Sequence, residues 1–272
     1  MTIALFKKIL GFYWTSKTKY GAHSPFLYDF VKNIMNTEKR INTIDNIESV
    51  RKSLLNRKDS INFIELGAGS KAINGNMRKV SDVAKSSLSG KWQCRILYNL
   101  VQHYKCNNII EIGTSLGIST AYLSAANSNC NIITLEGNPS SVTIAKEVFG
   151  KLNCKNIDIV EGNFDSTLND VVQFYEQVDL AFIDGNHRYQ ATIDYYNILK
   201  QNSTKSSIFI IDDIYWSEEM NQAWQEIIHD NDVGFSIDLF RMGIVFFDTE
   251  KMEKQHFKLI DYIWKPWSIG LY

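Results

Sequence analysis

Residues 108–121 read "NIIEIGTSLGISTA", and residues 62–75 read "NFIELGAGSKAING". Each is an apolar run, a glutamate and a glycine-rich turn, and the downstream sequence separates them. A nucleotide-type ligand needs a first strand ending in glycines that let it approach the backbone at a helix N-terminus. It also needs a second strand, about 20 to 25 residues on, ending in an acid that takes ribose hydroxyls. After Gly117 a helical pattern, "ISTAYLSAAN", leads to the strand "CNIITLEG" with Glu136 at its end. After the first loop the matching window is "VSDVAKSSLSG", which is polar, serine-rich and unlike a strand. The ligand loop is therefore 111–117.

The same rhythm extends to residue 248. "CRILYNLVQHY" (94–104), "SSVTIAKEVFGKL", "STLNDVVQFYEQ" and "YQATIDYYNILKQ" have helical spacing. Between them lie the strand-like runs "NIDIVEG", "VDLAFIDG" and "SSIFIIDD". Such alternation predicts an α/β fold, a mostly parallel sheet with helices on both faces. "FSIDLF" and "GIVFFD", separated by Arg241 and Met242, predict an antiparallel hairpin at the end of the sheet. Residues 1–90 lack the rhythm and read as a helical cap and lid segment, leaving 91–272 as the core.

The 272 residues suit one large α/β domain with an added segment. A net charge of −1 gives no bulk attraction to nucleic acid or anionic membrane. No apolar run approaches the roughly 20 residues that span a bilayer. "MTIALFKKILGFYW" is broken by Lys7 and Lys8 and lacks a small-residue cleavage site, which argues against a signal peptide. Its helical spacing suits a helix packed on its own domain or on a homodimer partner, or one lying on a membrane surface. Cys94, Cys106, Cys130 and Cys154 have no zinc-ligand spacing, and reduced thiols in a cytoplasm are the simplest expectation.

Taken in order, "IIEIGTSLGIST", "IITLEGNP", "VEGNFDS", "VDLAFIDGNHRY" and "IFIIDDIYW" resemble the class I S-adenosylmethionine-dependent methyltransferases. The likeness is to small-molecule O-methyltransferases of the catechol, caffeoyl-CoA and antibiotic-sugar types. It covers roughly residues 80–250 and implies a Rossmann-like fold with a seven-stranded sheet. "GAHSPF" (21–26) and "ELGAGS" are similar to stretches of bacterial methyltransferase-like proteins and imply no activity.

Carried onto this chain, the resemblance implies that Glu111, Gly113, Thr114, Ser115 and Gly117 hold the aminoacyl end of S-adenosylmethionine. Glu136, with Gly137 beside it, would take the ribose hydroxyls. Asn163 stands where the family often has an aspartate for the adenine amino group, with Phe164 beside the ring. An asparagine carbonyl carries no charge and replaces that acid only in part.

Asp184, Asp212 and Asp213 fall at the ends of two strands on the ligand edge of the sheet. Hard oxygen ligands suit Mg²⁺, which would acidify an acceptor hydroxyl. Alternatively the acids fix loops, or Asp184 meets the methionine ammonium. His187, three residues beyond Asp184, is a candidate base for a small-molecule acceptor, or else it caps the following helix or bonds an aspartate. His23 reads as structural, and His103, His229 and His256 as surface residues. The 65–80 loop, with Lys71, Arg78 and Lys79, reads as a substrate lid or as a solvated turn.

Other classes stay open. Amino-group methyltransferases carry an N/D-P-P-Y/F turn where this chain reads "IDGNH". The glycine spacing opposes an NAD-dependent oxidoreductase. A cofactor-binding protein without catalysis, or an assembly partner using the aromatic C-terminus, is the remaining alternative.

Overall fold

The computed structural model describes residues 3–18, 24–37, 41–63, 77–248, 254–261 and 264–265. His23, Glu65 and Lys71 lie outside the described residues, as does most of the 65–80 loop. The chain opens with α1 (Ile3–Thr15), α2 (Pro25–Asn33), α3 (Asn42–Leu55), β1 (Ser60–Asn62), β2 (Met77–Lys79) and α4 (Val80–Ser87). The alternating part runs α5 (Lys91–Tyr104), β3 (Asn108–Ile112), α6 (Ile118–Ala126), β4 (Asn131–Glu136), α7 (Pro139–Leu152), β5 (Ile157–Glu161) and α8 (Phe164–Val172). It continues through β6 (Leu180–Ile183), α9 (Tyr189–Lys200), β7 (Ile208–Asp212), α10 (Glu218–His229), β8 (Phe235–Asp238), β9 (Met242–Phe246) and β10 (Gln255–Lys258).

Among the described residues the main sheet has the order β10-β8-β9-β7-β6-β3-β4-β5. Strands β5, β4, β3, β6 and β7 are parallel, and β9 runs antiparallel between β7 and β8. The central strands "LAFI" and "IFIID" are buried along their whole length. Unbroken apolar runs of this kind result from helices covering both faces. From β3 the chain first moves one way to β4 and β5, then returns to β6 on the other side. That reversal opens a crevice at the carboxyl ends of β3 and β6, where ligands bind in open α/β sheets.

The hairpin appears as expected, but an eighth strand corrects the seven-strand expectation. β10 adds parallel to β8, and the segment after α1 covers β10 in turn. The Lys17 amide donates to the Lys258 carbonyl at 2.8 Å, and the Ile260 amide donates to the Lys17 carbonyl at 3.0 Å. An open edge with unpaired N–H and C=O groups is a liability, and the two chain ends together close this one.

The first ninety residues share the core of the rest. Leu27, Phe30 and Ile34 pack with Leu97 of α5 and with Phe246 of β9. Ile44, Ile47 and Leu54 of α3 join Tyr122 of α6 and Phe149 of α7. Helix α1 buries Phe12 against Tyr215 and Phe240, with ring centroids 6.3 and 5.2 Å away. Its opposite face leaves Trp14 72% exposed, so packing on its own domain accounts for only one side of this helix.

Candidate active site

One cavity of about 480 Å³ opens at the carboxyl ends of the parallel strands. That is large enough for a nucleoside-sized ligand together with a small molecule. It collects Gly113, Ser115, Glu136, Gly137, Asn163, Phe164, Asp184, His187, Asp212 and Asp213. Of the cofactor residues expected from sequence, Glu111, Thr114 and Gly117 do not line it.

Those three build the frame instead. Glu111 is fully buried, and its Oε2 accepts from the hydroxyls of Thr120 at 2.5 Å and Thr134 at 2.6 Å. Burial pushes its pKa up. Through Oε2 it ties β3 to β4 and α6, while its buried Oε1 has no hydrogen-bond partner among the described residues. Thr114 is buried and its hydroxyl meets that of Thr134 at 2.6 Å. Gly117 precedes α6 at φ +82, closely packed on the Phe149 ring.

Gly113 has a sharper requirement. It sits at φ +100, and a Cβ there would lie 2.2 Å from the Asp184 carbonyl oxygen. Gly113→Ala should therefore both strain the backbone and push Asp184 out of place, costing roughly 2–5 kcal/mol. Thermal melting of the variant without ligand checks this, and a melting temperature equal to wild type would contradict it.

The carboxylate of Glu136 faces the loop at the end of β4. Its Oε2 accepts from the Ser115 amide at 2.7 Å and its Oε1 from the Asn138 amide at 2.8 Å. Ser115 adopts φ +49, which turns that amide toward the acid. Burial raises the Glu136 pKa to about 7, against the opposing pull of these amides. Two carboxylate oxygens offer about four acceptor directions, and the amides of Ser115, Asn138 and Gly137 take part of them, which leaves acceptor capacity for a ligand hydroxyl. Asn163 caps α8, its Oδ1 accepting from the Asp165 amide at 3.1 Å, and its carbonyl is thus engaged by the helix. Phe164 lies against Gly185, where a Cβ would come within 2.6 Å of the ring.

At the far end the three aspartates each turn to a different protein partner. Ser89 donates to Asp184 Oδ2 at 3.1 Å, and Gln93 donates to Asp212 Oδ1 at 2.8 Å. Arg241 lies 3.7 Å from Asp213 Oδ1. Burial, then Asp212 and Asp213, hold the Asp184 carboxyl well above the usual range. Burial and Asp213 push Asp212 up to about 7. Among the described residues no three His, Cys, Asp or Glu side chains converge as a metal site. Mg²⁺ takes near-octahedral oxygen ligands, and the charges of Asp212 and Asp213 acting on Asp184 make the three carboxyls close neighbours.

His187 Nε2 lies 3.7 Å from Asp184 Oδ1, beyond hydrogen-bond reach, and the ring tilts toward Trp216 at 5.9 Å. Burial lowers its pKa, with Asp213 opposing, so the imidazole is neutral at pH 7. His103, His229 and His256 are absent from the cavity wall.

Sequence reasoning missed the wall opposite the sheet. The serine-rich end of α4 and the turn after it reach the loop: the Ser87 and Ser115 hydroxyls meet at 2.7 Å, and Ser89 reaches Asp184. Arg78, singled out in the sequence as part of a substrate lid or solvated turn, lines the cavity too, its guanidinium 4.4 Å over the Phe63 ring. The available signal was a polar window directly before a core helix.

Comparison with known proteins agrees with this architecture. Residues 110–214 match a protein-family model described as a methyltransferase domain. An S-adenosylhomocysteine-bound methyltransferase of Podospora anserina, PaMTH1, superposes with a TM-score of 0.57 at 14% identity, covering 82% of this chain and 96% of that one. An O-methyltransferase from Bacillus cereus, in complex with S-adenosylhomocysteine, gives 0.54 at 17% identity over 80% and 96%. TomG from Streptomyces achromogenes, an O-methyltransferase of tomaymycin synthesis in complex with S-adenosylmethionine, gives 0.55 at 11% identity over 81% and 94%. No curated protein matches by sequence. The fold is the Rossmann-like class I methyltransferase fold. No helix among the described residues is long and apolar enough to cross a membrane.

Proposed function

We propose that the protein transfers a methyl group from S-adenosylmethionine to a hydroxyl oxygen of a small molecule. The observation that carries this reading is one cavity holding both a strand-end acid beside a glycine loop and, farther along, an imidazole among aspartates. The residues present fit the cofactor. Gly113 and Gly137 bring backbone to the cavity wall, Glu136 keeps acceptor capacity on its carboxylate, and Phe164 gives an apolar face for a base. When bound, S-adenosylmethionine supplies an electrophilic methyl group on a sulfonium.

The chain's own groups do the rest. His187, neutral because it is buried, takes the proton from an acceptor hydroxyl at Nε2 and leaves a nucleophilic oxygen. Asp213, whose charge favours the protonated ring, stabilises the imidazolium that results. The serine segment 86–89 covers the cavity and shields the reacting atoms from water. Trp216 gives the acceptor a flat wall beside His187. No step is assigned to a divalent ion.

Isothermal calorimetry with S-adenosylhomocysteine, followed by transfer of labelled methyl to a panel of phenols, sugars and carboxylic acids, tests the reading. Binding and a methyl ether product are expected, with turnover unaffected by chelator. Turnover that vanishes with chelator and returns with Mg²⁺ would restore the metal. Tight cofactor binding with no product from any acceptor would favour a non-catalytic binding protein.

A further inference from the structure

Helix α1 is apolar on two sides, and its own domain uses one of them. Phe12, 6% exposed, packs on Tyr215 and Phe240. Lys8 reaches Glu218 Oε2 at 3.0 Å and the Ser217 carbonyl at 3.4 Å. A helix held on one side needs a single apolar stripe. Here a second stripe faces outward: Phe6, Leu10 and Trp14 are 46, 40 and 72% exposed, and their i, i+4, i+8 spacing stacks them on one face.

The other end of the chain extends this face. Lys265 donates through Nζ to the Tyr13 and Ser16 carbonyls, each at 2.9 Å, placing a cation where the last helix carbonyls need donors. The Tyr13 hydroxyl donates to the Trp264 carbonyl at 3.1 Å. Trp264, 71% exposed, is thereby held at the Trp14 end of the helix. An indole is an apolar body with one N–H, a shape that suits the boundary between hydrocarbon and water.

Charge decides what covers the face. Residues 1–28 contain four lysines, Lys7, Lys8, Lys17 and Lys19, and no aspartate or glutamate, in a chain whose net charge is −1. Lys17, just past the helix, is exposed. Twofold pairing of α1 with a second copy would set this lysine-rich segment against itself. An anionic surface attracts it instead. At 13 residues the helix is about 20 Å long, too short to cross the hydrocarbon core of a bilayer but long enough to lie along it.

We infer that the outer face of α1, extended by Trp264, docks on a membrane surface containing anionic phospholipid. Phe6, Leu10 and Trp14 enter the boundary between headgroups and acyl chains, and the lysine-rich segment supplies the attraction to lipid phosphates. Trp216 and Arg241, which line the cavity, are the chain neighbours of Tyr215 and Phe240 on which α1 rests. Docking therefore brings that end of the cavity to the lipid. The docking does not depend on the reaction assigned to the cavity.

Flotation of the full chain with vesicles of phosphatidylcholine alone, and of an equal mixture with phosphatidylglycerol, tests this at low salt. The mixed vesicles should bind at least about tenfold more tightly, since each lysine at an anionic surface contributes roughly fivefold, and added salt should weaken them. The double variant Leu10→Glu, Trp14→Glu should bind them roughly a hundredfold more weakly, with thermal melting unchanged because both side chains are exposed. Lys17→Glu should weaken binding to the mixed vesicles by about tenfold. Phe174→Glu is the control: Phe174 is 75% exposed just past α8 and should bind like wild type. No flotation with either vesicle, equal flotation with both, or equal losses in the double variant and Phe174→Glu overturns the proposal. So does a wild-type dimer in solution that the double variant turns into a monomer without changing flotation, which would assign the face to a second copy.

Discussion

Glu136→Ala should weaken S-adenosylhomocysteine binding on the order of a hundredfold, because two ribose hydroxyls lose a charged acceptor, each such bond contributing about 1.5–3 kcal/mol. The same change leaves the Ser115 and Asn138 amides without their carboxylate, so Glu136→Gln, which keeps one acceptor, should fall between. The pH dependence derives from the raised pKa of about 7. Hydroxyl donors favour the ionised acid, so the ligand binds the deprotonated form and pulls the pKa down. Affinity should be full above pH 7 and decline below it by up to about tenfold per unit, while Glu136→Ala shows a flat profile over that limb. Glu65→Ala should leave affinity unchanged. Equal losses from the Glu136 and Glu65 changes would reverse the choice between the two glycine-rich loops.

How far the sequence could lead depended on the range of the interactions involved. The strand–helix alternation and Glu136 were legible because hydrophobic periodicity and a strand-end acid are local signals. The eighth strand was not, since β10 requires a β8 edge already formed and then covered by Lys17 from the other end of the chain. Direction was the hidden quantity at the acids. Strand order places Asp184, Asp212 and Asp213 along one sheet edge, yet their partners Ser89 and Gln93 lie 95 and 119 residues away. Those partners help decide where the oxygens point. Glu111 is a related case: the residue is in the expected motif, and Thr120 and Thr134 hold one oxygen of its carboxylate in the frame.

His187→Ala should lower the rate of methyl transfer by about 10²–10³-fold while cofactor affinity stays close to wild type, the usual size of a lost general base. The argument rests on place and charge. His187 lines the same cavity as Glu136, and its Nε2 lies 3.7 Å from Asp184 Oδ1, too far for a hydrogen bond to occupy the nitrogen. Burial lowers its pKa, so the base form is already present below the ordinary histidine value of about 6.5. The acidic limb of kcat should therefore lie below pH 6.5 in wild type, rising with pH as the imidazole loses its proton. In His187→Ala that limb should vanish along with most of the rate, and His187→Gln, which keeps a polar group without a titrating nitrogen, should not restore it. Because the ring also packs beside Trp216, a purely structural role would instead raise the acceptor KM and leave the shape of the kcat profile intact. Retention of the wild-type limb in His187→Ala would assign the proton to another group, with Asp184 the nearest acid to examine.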